Sequence, residues 1–350
     1  MASRTSATAR LRAFPEALEG KLKMNHLEII KQPIHTALQQ FEAQYVAELK
    51  SDNSLLNQVV KHVLSRKGKQ IRPILVLLSA ELAGGITPAA LSAAVSLELL
   101  HTATLIHDDV VDETLERRGM KSVNALWNNK VAVLSGDYFL SKSLNKIAET
   151  RNFEIMSVIS QLGEKLSKGE LLQLDAVRQN QINEELYFDI IRQKTAVLFA
   201  ACCKTGALSV PDVSAELVDK VSKFGELLGV CFQLKDDIFD YSPKNKSEIG
   251  KPTGNDIREG KITLPLIYAL NNTSAEEKEI FLPIIQNADF SEENVQKLYA
   301  FATENGGIDY ATAKMQELKA TAVALLADLP DSPAKNDLLV CSEYMVERSK

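Results

Sequence analysis

Cysteine is scarce in this chain of 350 residues: there are four, Cys202, Cys203, Cys231 and Cys341, two of them adjacent and none at metal-ligand spacing. That excludes a disulfide-stapled scaffold and a thiolate metal site, and it makes a reduced compartment, the cytoplasm, the expected location. Basic charge is also in deficit, with 40 Lys and Arg against 46 Asp and Glu and a net charge of -6. No broad positive field is present to gather nucleic acid, so any anion site has to be local. Apolar runs are short: residues 74–78, and residues 97–106 interrupted by Glu98 and His101, where a membrane span needs about 18 apolar residues in succession. No transmembrane segment is expected. Sustained alternation of apolar and polar residues, the mark of strands, is missing as well.

What remains is helical periodicity, dominant from Met24 onward, and the expected fold class is all-α. Residues 1–23 are rich in Ala, Ser, Thr and Arg and carry no acid before Glu16. Such a composition suits a targeting peptide or a disordered extension ahead of a second start at Met24; the extension is the simpler reading. After the Gly84-Gly85 break, Thr87-Pro88 supplies an N-cap and a proline at the first helical position, predicting a long helix to about Glu113. A second helix is predicted from Pro211 to Ser242-Pro243, and a third from about Glu184 to Gly206, with the glycine placed to stop it. Residues 113–121, with Arg117-Arg118-Gly119, and residues 242–261, with Pro243, Gly250, Pro252, Gly254 and Gly260 among lysines, read as mobile loops beside a site. No linker or shift of composition divides the chain. A single-domain helical bundle around a central cavity is expected.

The long helix carries the first chemistry. His101, Thr104, Asp108 and Asp112 recur at i, i+3, i+7 and i+11 and share an arc of about 80°, while Leu91, Val95, Leu99, Leu105 and Ile106 provide surface for a core. His107-Asp108-Asp109-Val110-Val111-Asp112 is then echoed by Lys235-Asp236-Asp237-Ile238-Phe239-Asp240, with Gln233 one turn before on the Asp236 face. The first and last aspartates of each cluster lie one turn apart and reach the same point, and magnesium takes hard oxygen ligands completed by water and phosphate. One such cluster is as often a solvated acidic face. Two, each inside an apolar helix, are tolerated mainly where cations neutralise them. Asp108, Asp112, Asp236 and Asp240 are therefore the metal candidates, with several Mg2+ ions as cofactor. His107 points about 100° away from Asp108 and is assigned to packing.

Basic residues complete the pattern. Gly68-Lys69-Gln70-Ile71-Arg72-Pro73 opens an apolar helix and sets a lysine and an arginine beside free amides, either an anion site or an ordinary solvated helix start. Arg117-Arg118 follows the first acidic cluster closely enough to fork a diphosphate, though a solvated loop pair has the same appearance. Lys194-Thr195 lies within an apolar helix, where an interior lysine needs a partner and a threonine can bond backward to a carbonyl and bend the helix.

These motifs, in this order, resemble the trans-isoprenyl diphosphate synthases, or polyprenyl synthetases. The resemblance runs from about Gly68 to the C-terminus and includes His101, Gly169-Glu170-x-x-Gln173, Phe232-Gln233, Gly250-Lys251 and Gly260-Lys261-x-Thr263-x-Pro265. It implies that residues 24–350 form a catalytic domain condensing an allylic diphosphate, such as farnesyl diphosphate, with isopentenyl diphosphate. It further implies isopentenyl diphosphate on Lys69, Arg72, His101 and Arg118, and the allylic diphosphate on Arg117, Lys194, Lys251 and Lys261. Lys194, Thr195 and Gln233 would be catalytic: Thr195 and Gln233, with backbone carbonyls near the Lys194-Thr195 kink, would steady the carbocation by their dipoles, Lys194 would add positive charge around the departing pyrophosphate, and the released pyrophosphate would take the proton, in keeping with the lack of an obvious side-chain base. A homodimer is implied too.

Gly169-Glu170-Leu171-Leu172-Gln173 departs from the Gly-Gln-x-x-Asp pattern common in short-chain members, which is similar to the longer-chain branch that includes octaprenyl diphosphate synthase. Ala103 and Thr104, one turn before Asp108, are small where short-chain relatives tend to carry aromatic rings. A tunnel past them, floored by Phe153 or Met156, would accommodate an all-trans product of about seven to ten isoprene units, a quinone side-chain precursor, each buried methylene contributing ~0.8 kcal/mol. The alternative is that Ala103 is small because a neighbouring helix packs closely. A terpene cyclase would leave Lys69, Arg72 and Arg118 without a purpose, a His-Asp phosphohydrolase would leave the second cluster unexplained, and a non-catalytic subunit would be expected to have lost aspartates that are all present here.

Overall fold

A computed structural model describes residues 26–65, 68–117, 119–241 and 254–348. The expected extension at 1–23, Arg118, Lys251 and the Ser242-Pro243 helix stop lie outside the described residues. The chain begins with α1 (His26–Lys31), α2 (His35–Glu48), α3 (Ser54–Leu64), α4 (Ile71–Ala83) and α5 (Pro88–Val111). A hairpin of β1 (Glu116–Arg117) and β2 (Met120–Lys121) follows, then α6 (Val123–Leu126), α7 (Asn129–Ala148) and α8 (Phe153–Arg178). Next come α9 (Glu184–Ile191), a π-turn at Arg192–Ala196, α10 (Val197–Leu208) and α11 (Ala215–Asp240). The remainder is α12 (Asn255–Arg258), α13 (Leu264–Asn271), α14 (Ala275–Gln286), α15 (Glu292–Glu304), α16 (Gly307–Leu325) and α17 (Pro333–Glu347).

Local chemistry sets these limits. Gly84 and Gly85 turn the chain at φ of 141° and 134°, and the Thr87 hydroxyl then accepts the Ala90 amide at 3.1 Å to start α5. Asn152, Asn183 and Ser214 cap α8, α9 and α11 in the same way. The α11 start is therefore Ser214, not Pro211, because a side chain that satisfies a free amide outweighs a proline lying in the preceding turn. The segment after α5 leaves the all-α pattern: Glu116 pairs with Lys121 and Arg117 with Met120 in an antiparallel ladder.

The helices pack in a continuous series, α7 on α5, α5 on α4, α4 on α10, α10 on α11 and α11 on α16, with α17 lying across α4 and α11. The main core extends from Ile30 through Leu75, Leu97, Phe139 and Phe199 to Met345. Two smaller clusters surround the α9–α11–α13 junction and the α13–α15 layer. By composition α5 is long and apolar enough to cross a membrane. Here its apolar length is buried against α4, α7 and α10, as the core helix of a globular fold.

Gly206 does not stop a helix. It lies inside α10, where an added Cβ would meet the Val76 carbonyl oxygen at 2.2 Å, so it permits close approach of α10 to α4. Gly225 and Gly229 do the same for α11 against Phe199 and Ala196. The expected 184–206 helix is instead broken at its middle by the π-turn, which α8 and α11 grip from two sides: Cβ atoms at Gly169 and Gly229 would meet the Lys194 amide at 2.8 Å and the Ala196 Cα at 2.5 Å. Gly206→Ala should lower stability by about 1–3 kcal/mol through overpacking. Gly163→Ala on α8, where nothing lies within 4 Å, should raise it by about 0.5–1 kcal/mol by restricting the unfolded chain. Denaturant midpoints of the two variants check the contrast.

Candidate active site

Burial divides the first aspartate cluster by task. Asp109 faces inward and its Oδ1 accepts Arg117 Nε at 2.6 Å, while its carbonyl accepts Asn124 Nδ2 at 3.0 Å and the Thr114 amide at 2.9 Å. The middle aspartate thus pins the hairpin to the end of α5. Asp108 and Asp112 are left on the half-exposed side, Asp112 as the C-cap whose amide reaches the Asp108 carbonyl at 2.8 Å. Burial pushes the Asp108 carboxyl up to about 6; Lys194 and Arg117 oppose the shift and Glu170 and Asp112 add to it. His107 packs on Gly136 and its Nε2 lies 3.2 Å from the Val133 carbonyl, away from the cluster, as expected.

The π-turn brings the next groups in. Its widened ring places Lys194 and Thr195 side by side, the kind of local departure from α-geometry that often marks functional sites. Lys194 Nζ lies 2.6 Å from Glu170 Oε2, the partner an interior lysine required, so the departure at Glu170 has a structural role, and Gly169 beside it lets the π-turn approach. Thr195 does not bond backward. Its hydroxyl donates to Gln233 Oε1 at 2.8 Å, because the π-turn has already supplied the bend.

Gln233 passes the orientation on to the second cluster, donating from Nε2 to Asp237 Oδ1 at 2.8 Å, while the buried Tyr187 hydroxyl donates to Oδ2. Asp237 is buried, and burial first, then Asp236 and Asp240, push its carboxyl above the usual range despite these bonds. Asp236 Oδ1 accepts Arg348 Nη2 at 2.6 Å. Asp240 is engaged differently from a simple metal ligand: its two oxygens accept the amides of Asn255 and Asp256, each at 3.0 Å, so it anchors the start of α12. That helix presents Asp256, whose carboxyl is raised well above its ordinary value by burial and by Asp237 and Asp240. Lys261, paired with Glu259 at 2.6 Å, feels both Asp112 and Asp256 and so stands between the two clusters.

Two cavities meet this site. One, of about 160 Å³, gathers Lys194, Thr195, Gln233, Asp237, Asp256 and Lys261. The other, of about 770 Å³, is lined by Lys69, Arg72, His101, Arg117 and Arg348 over a floor containing Phe199 and Phe232. Lys69, Arg72 and His101 are thus brought together as expected. Arg117 lines their cavity, rather than the one holding Lys194 and Lys261, because its bond to Asp109 turns it there. Ala103 and Thr104 line neither cavity: Ala103 is 1% exposed within the main core, and the Thr104 hydroxyl donates to the His101 carbonyl at 2.9 Å. Phe153 is no floor, since as the first residue of α8 it is 85% exposed; Met156 packs against the main core. Sequence reasoning passed over Asp256, although it lies in the singled-out 242–261 segment, and Arg348, which follows a helix without a motif.

The donor set suits a hard divalent cation. Carboxylates crowd at the ends of α5 and α11, with Lys261 feeling Asp112 on one side and Asp256 on the other, and among the described residues no three His, Cys, Asp or Glu side chains converge on one point, so water and substrate oxygens would complete the shell. Residues 53–302 match the family model for polyprenyl synthetase. The chain is 32% identical over 312 residues to the octaprenyl diphosphate synthase of Haemophilus influenzae, covering 89% of this chain and 94% of that one. Its fold is similar to the crystal structure of geranylgeranyl pyrophosphate synthase from Bacteroides thetaiotaomicron (TM-score 0.80, 45% identity, 93% of this chain and 100% of that chain). It is also similar to polyprenyl synthase from Caulobacter crescentus complexed with calcium and isoprenyl diphosphate (TM-score 0.86, 28% identity, 93% and 98%).

The raised Asp108 carboxyl has a measurable sign. Its folded value of about 6 exceeds the unfolded ~3.9, so stability on its account is full below about pH 4 and is lost as pH rises through about 6. In EDTA, Asp108→Asn should be more stable than the native chain by up to about 3 kcal/mol well above pH 6, with the gain gone near pH 4. Thermal unfolding across that range tests it.

Proposed function

The chain belongs to the polyprenyl synthetase family and is a prenyltransferase of the polyprenyl diphosphate synthase type; on that premise we propose that it joins an allylic diphosphate, such as farnesyl diphosphate, to isopentenyl diphosphate and extends it to a medium-to-long all-trans polyprenyl diphosphate. The observation that carries this reading is the pairing of an aspartate-lined gap, with Lys194 and Lys261 beside it, and a separate cationic cavity on Lys69, Arg72 and His101. Two diphosphates need two such places, and a cyclase or phosphatase needs one.

The allylic diphosphate lies against Asp108, Asp112 and Asp236, with Asp240 holding α12 so that Asp256 and Lys261 face the same gap. Magnesium bound there supplies Lewis-acid stabilisation of the departing pyrophosphate. Lys194, Lys261 and, from outside the described residues, Lys251 add positive charge to that group. Isopentenyl diphosphate is held by Lys69, Arg72, His101 and Arg118, with Arg117 between the two places, so that its double bond meets the allylic carbon as the C–O bond breaks. Thr195 and Gln233, each fixed by the hydrogen bond between them, turn their dipoles toward the cation. The proton lost from the new product passes to pyrophosphate.

Exposed apolar residues on two neighbouring helices, Val133, Leu134 and Leu144 on α7 with Phe153, Leu171 and Leu174 on α8, support a homodimer that covers them. For product length, the absence of aromatic side chains at Ala103 and Thr104 favours the longer product. A second reading, a geranylgeranyl-length product, is favoured by the closed packing around Ala103 and by the 45% identity to the Bacteroides enzyme.

The purified chain with labelled isopentenyl diphosphate, farnesyl diphosphate and magnesium should yield an extractable prenyl product, and Asp108→Ala or Asp236→Ala should lower kcat by at least about a thousandfold with the fold retained. Wild-type turnover in either variant would refute the aspartate roles. Chromatography of the product decides its length. Ala103→Phe should give an active enzyme with a much shorter product if the chain grows past α5; loss of stability with unchanged product length would leave Ala103 a packing residue only.

A further inference from the structure

We propose that Arg348 is a cation shared between the two substrate places: it holds the Asp236 carboxylate while no divalent ion is bound there and, once the ion takes that carboxylate, turns its guanidinium to the diphosphate in the adjoining cavity. The proposal rests on the functional reading above and concerns a residue outside its assigned ligands.

The geometry begins with α17, whose last turn touches both places. The Tyr344 ring lies under Lys69 Nζ at 5.4 Å, and one turn later Arg348 Nη2 reaches Asp236 Oδ1 at 2.6 Å and the Phe232 carbonyl at 3.0 Å. The guanidinium occupies one lone-pair direction of Oδ1, so a metal ion that binds the carboxylate from that side takes its place. The exchange is one cation for another, which keeps Asp236 compensated in both states.

The released guanidinium has somewhere to go. The Arg348 side chain is only 6% exposed, yet its Nε is buried without a hydrogen-bond partner among the described residues. An arginine in that position has spare donors in a place where an unpaired donor is costly. It already lines the 770 Å³ cavity with Lys69, Arg72 and His101, so a diphosphate oxygen there would supply the missing acceptor. Its guanidinium lies over Phe232 at 4.0 Å and Phe239 at 5.5 Å, two aromatic faces along which a planar cation can shift while keeping contact. Arg348 itself lies just past the end of α17, outside the helix, at φ -51° and ψ 140°.

Two bindings that draw on one residue in this way are coupled, and the coupling is reciprocal. Metal at Asp236 should tighten isopentenyl diphosphate, and isopentenyl diphosphate should tighten metal.

The test uses the full chain without allylic substrate, so that nothing reacts. Mn2+ binding is followed by electron paramagnetic resonance, and isopentenyl diphosphate binding by calorimetry with and without Mg2+. For Arg348→Ala, Mn2+ should bind about tenfold tighter, and isopentenyl diphosphate in Mg2+ about tenfold weaker, with its dependence on Mg2+ gone. Arg348→Lys, which keeps charge but not the planar fork, should move both affinities the same way by less, and it carries the test if the alanine variant does not fold. Unchanged or weaker Mn2+ binding in both Arg348 variants, with Asp236→Asn losing an ion, would overturn the proposal and leave the metal reading standing. Mn2+ binding unaffected by Asp236→Asn would overturn both.

Discussion

Carboxylates in a poorly solvated gap are the constraint to which the rest of this molecule answers. Asp108, Asp112 and Glu170 repel one another on one side, and Asp236, Asp237, Asp240 and Asp256 do so on the other. The fold meets the cost in pieces. Arg117 takes Asp109, Lys194 takes Glu170, Tyr187 and Gln233 take Asp237, two backbone amides take Asp240, and Arg348 takes Asp236. What is left short of positive charge faces the gap, and that residue of unmet charge gives the site its appetite for cations.

The helical frame holds these partners at fixed distance by removing side chains where helices cross. Glycines at 169, 206, 225 and 229 each put backbone or Cβ atoms where another residue's Cβ would need to be. The consequence is a rigid central group, α4, α10, α11 and the π-turn, from which Lys194, Thr195 and Gln233 project at settled angles. Preorganised dipoles of this kind need little reorganisation when charge develops beside them.

Much of this could be read from the chain alone. The two aspartate runs stand out because their spacing is helical and their surroundings are apolar, and Thr87-Pro88 announces the start of α5 by chemistry that is entirely local. Long-range geometry was less legible. Gly206 has the appearance of a helix stop, and only the Val76 carbonyl, far away in sequence, shows why a side chain is excluded there. Periodicity cannot reveal a π-turn, because one wide ring hardly alters an apolar pattern at 3.6 residues per turn. Asp240 looks equivalent to Asp112 in sequence, yet one carboxylate caps a later helix and the other lies at the end of its own. Arg348 gives no local signal at all, for its meaning depends on a partner on α11.

The π-turn at Arg192–Ala196 also acts as a phase shifter. A helix that takes one extra residue into a single turn carries everything beyond it rotated by about 100° relative to an uninterrupted α-helix. Tyr187 and Ile191 before the turn, and Phe199, Cys203 and Gly206 after it, therefore face neighbours that no single apolar stripe could serve together. Deleting one residue from this turn would leave every side chain of α10 chemically intact and point each at the wrong partner, with Gly206 turned off the Val76 carbonyl and Phe199 off Phe232. The register of one half of the molecule against the other is held in a single peptide unit.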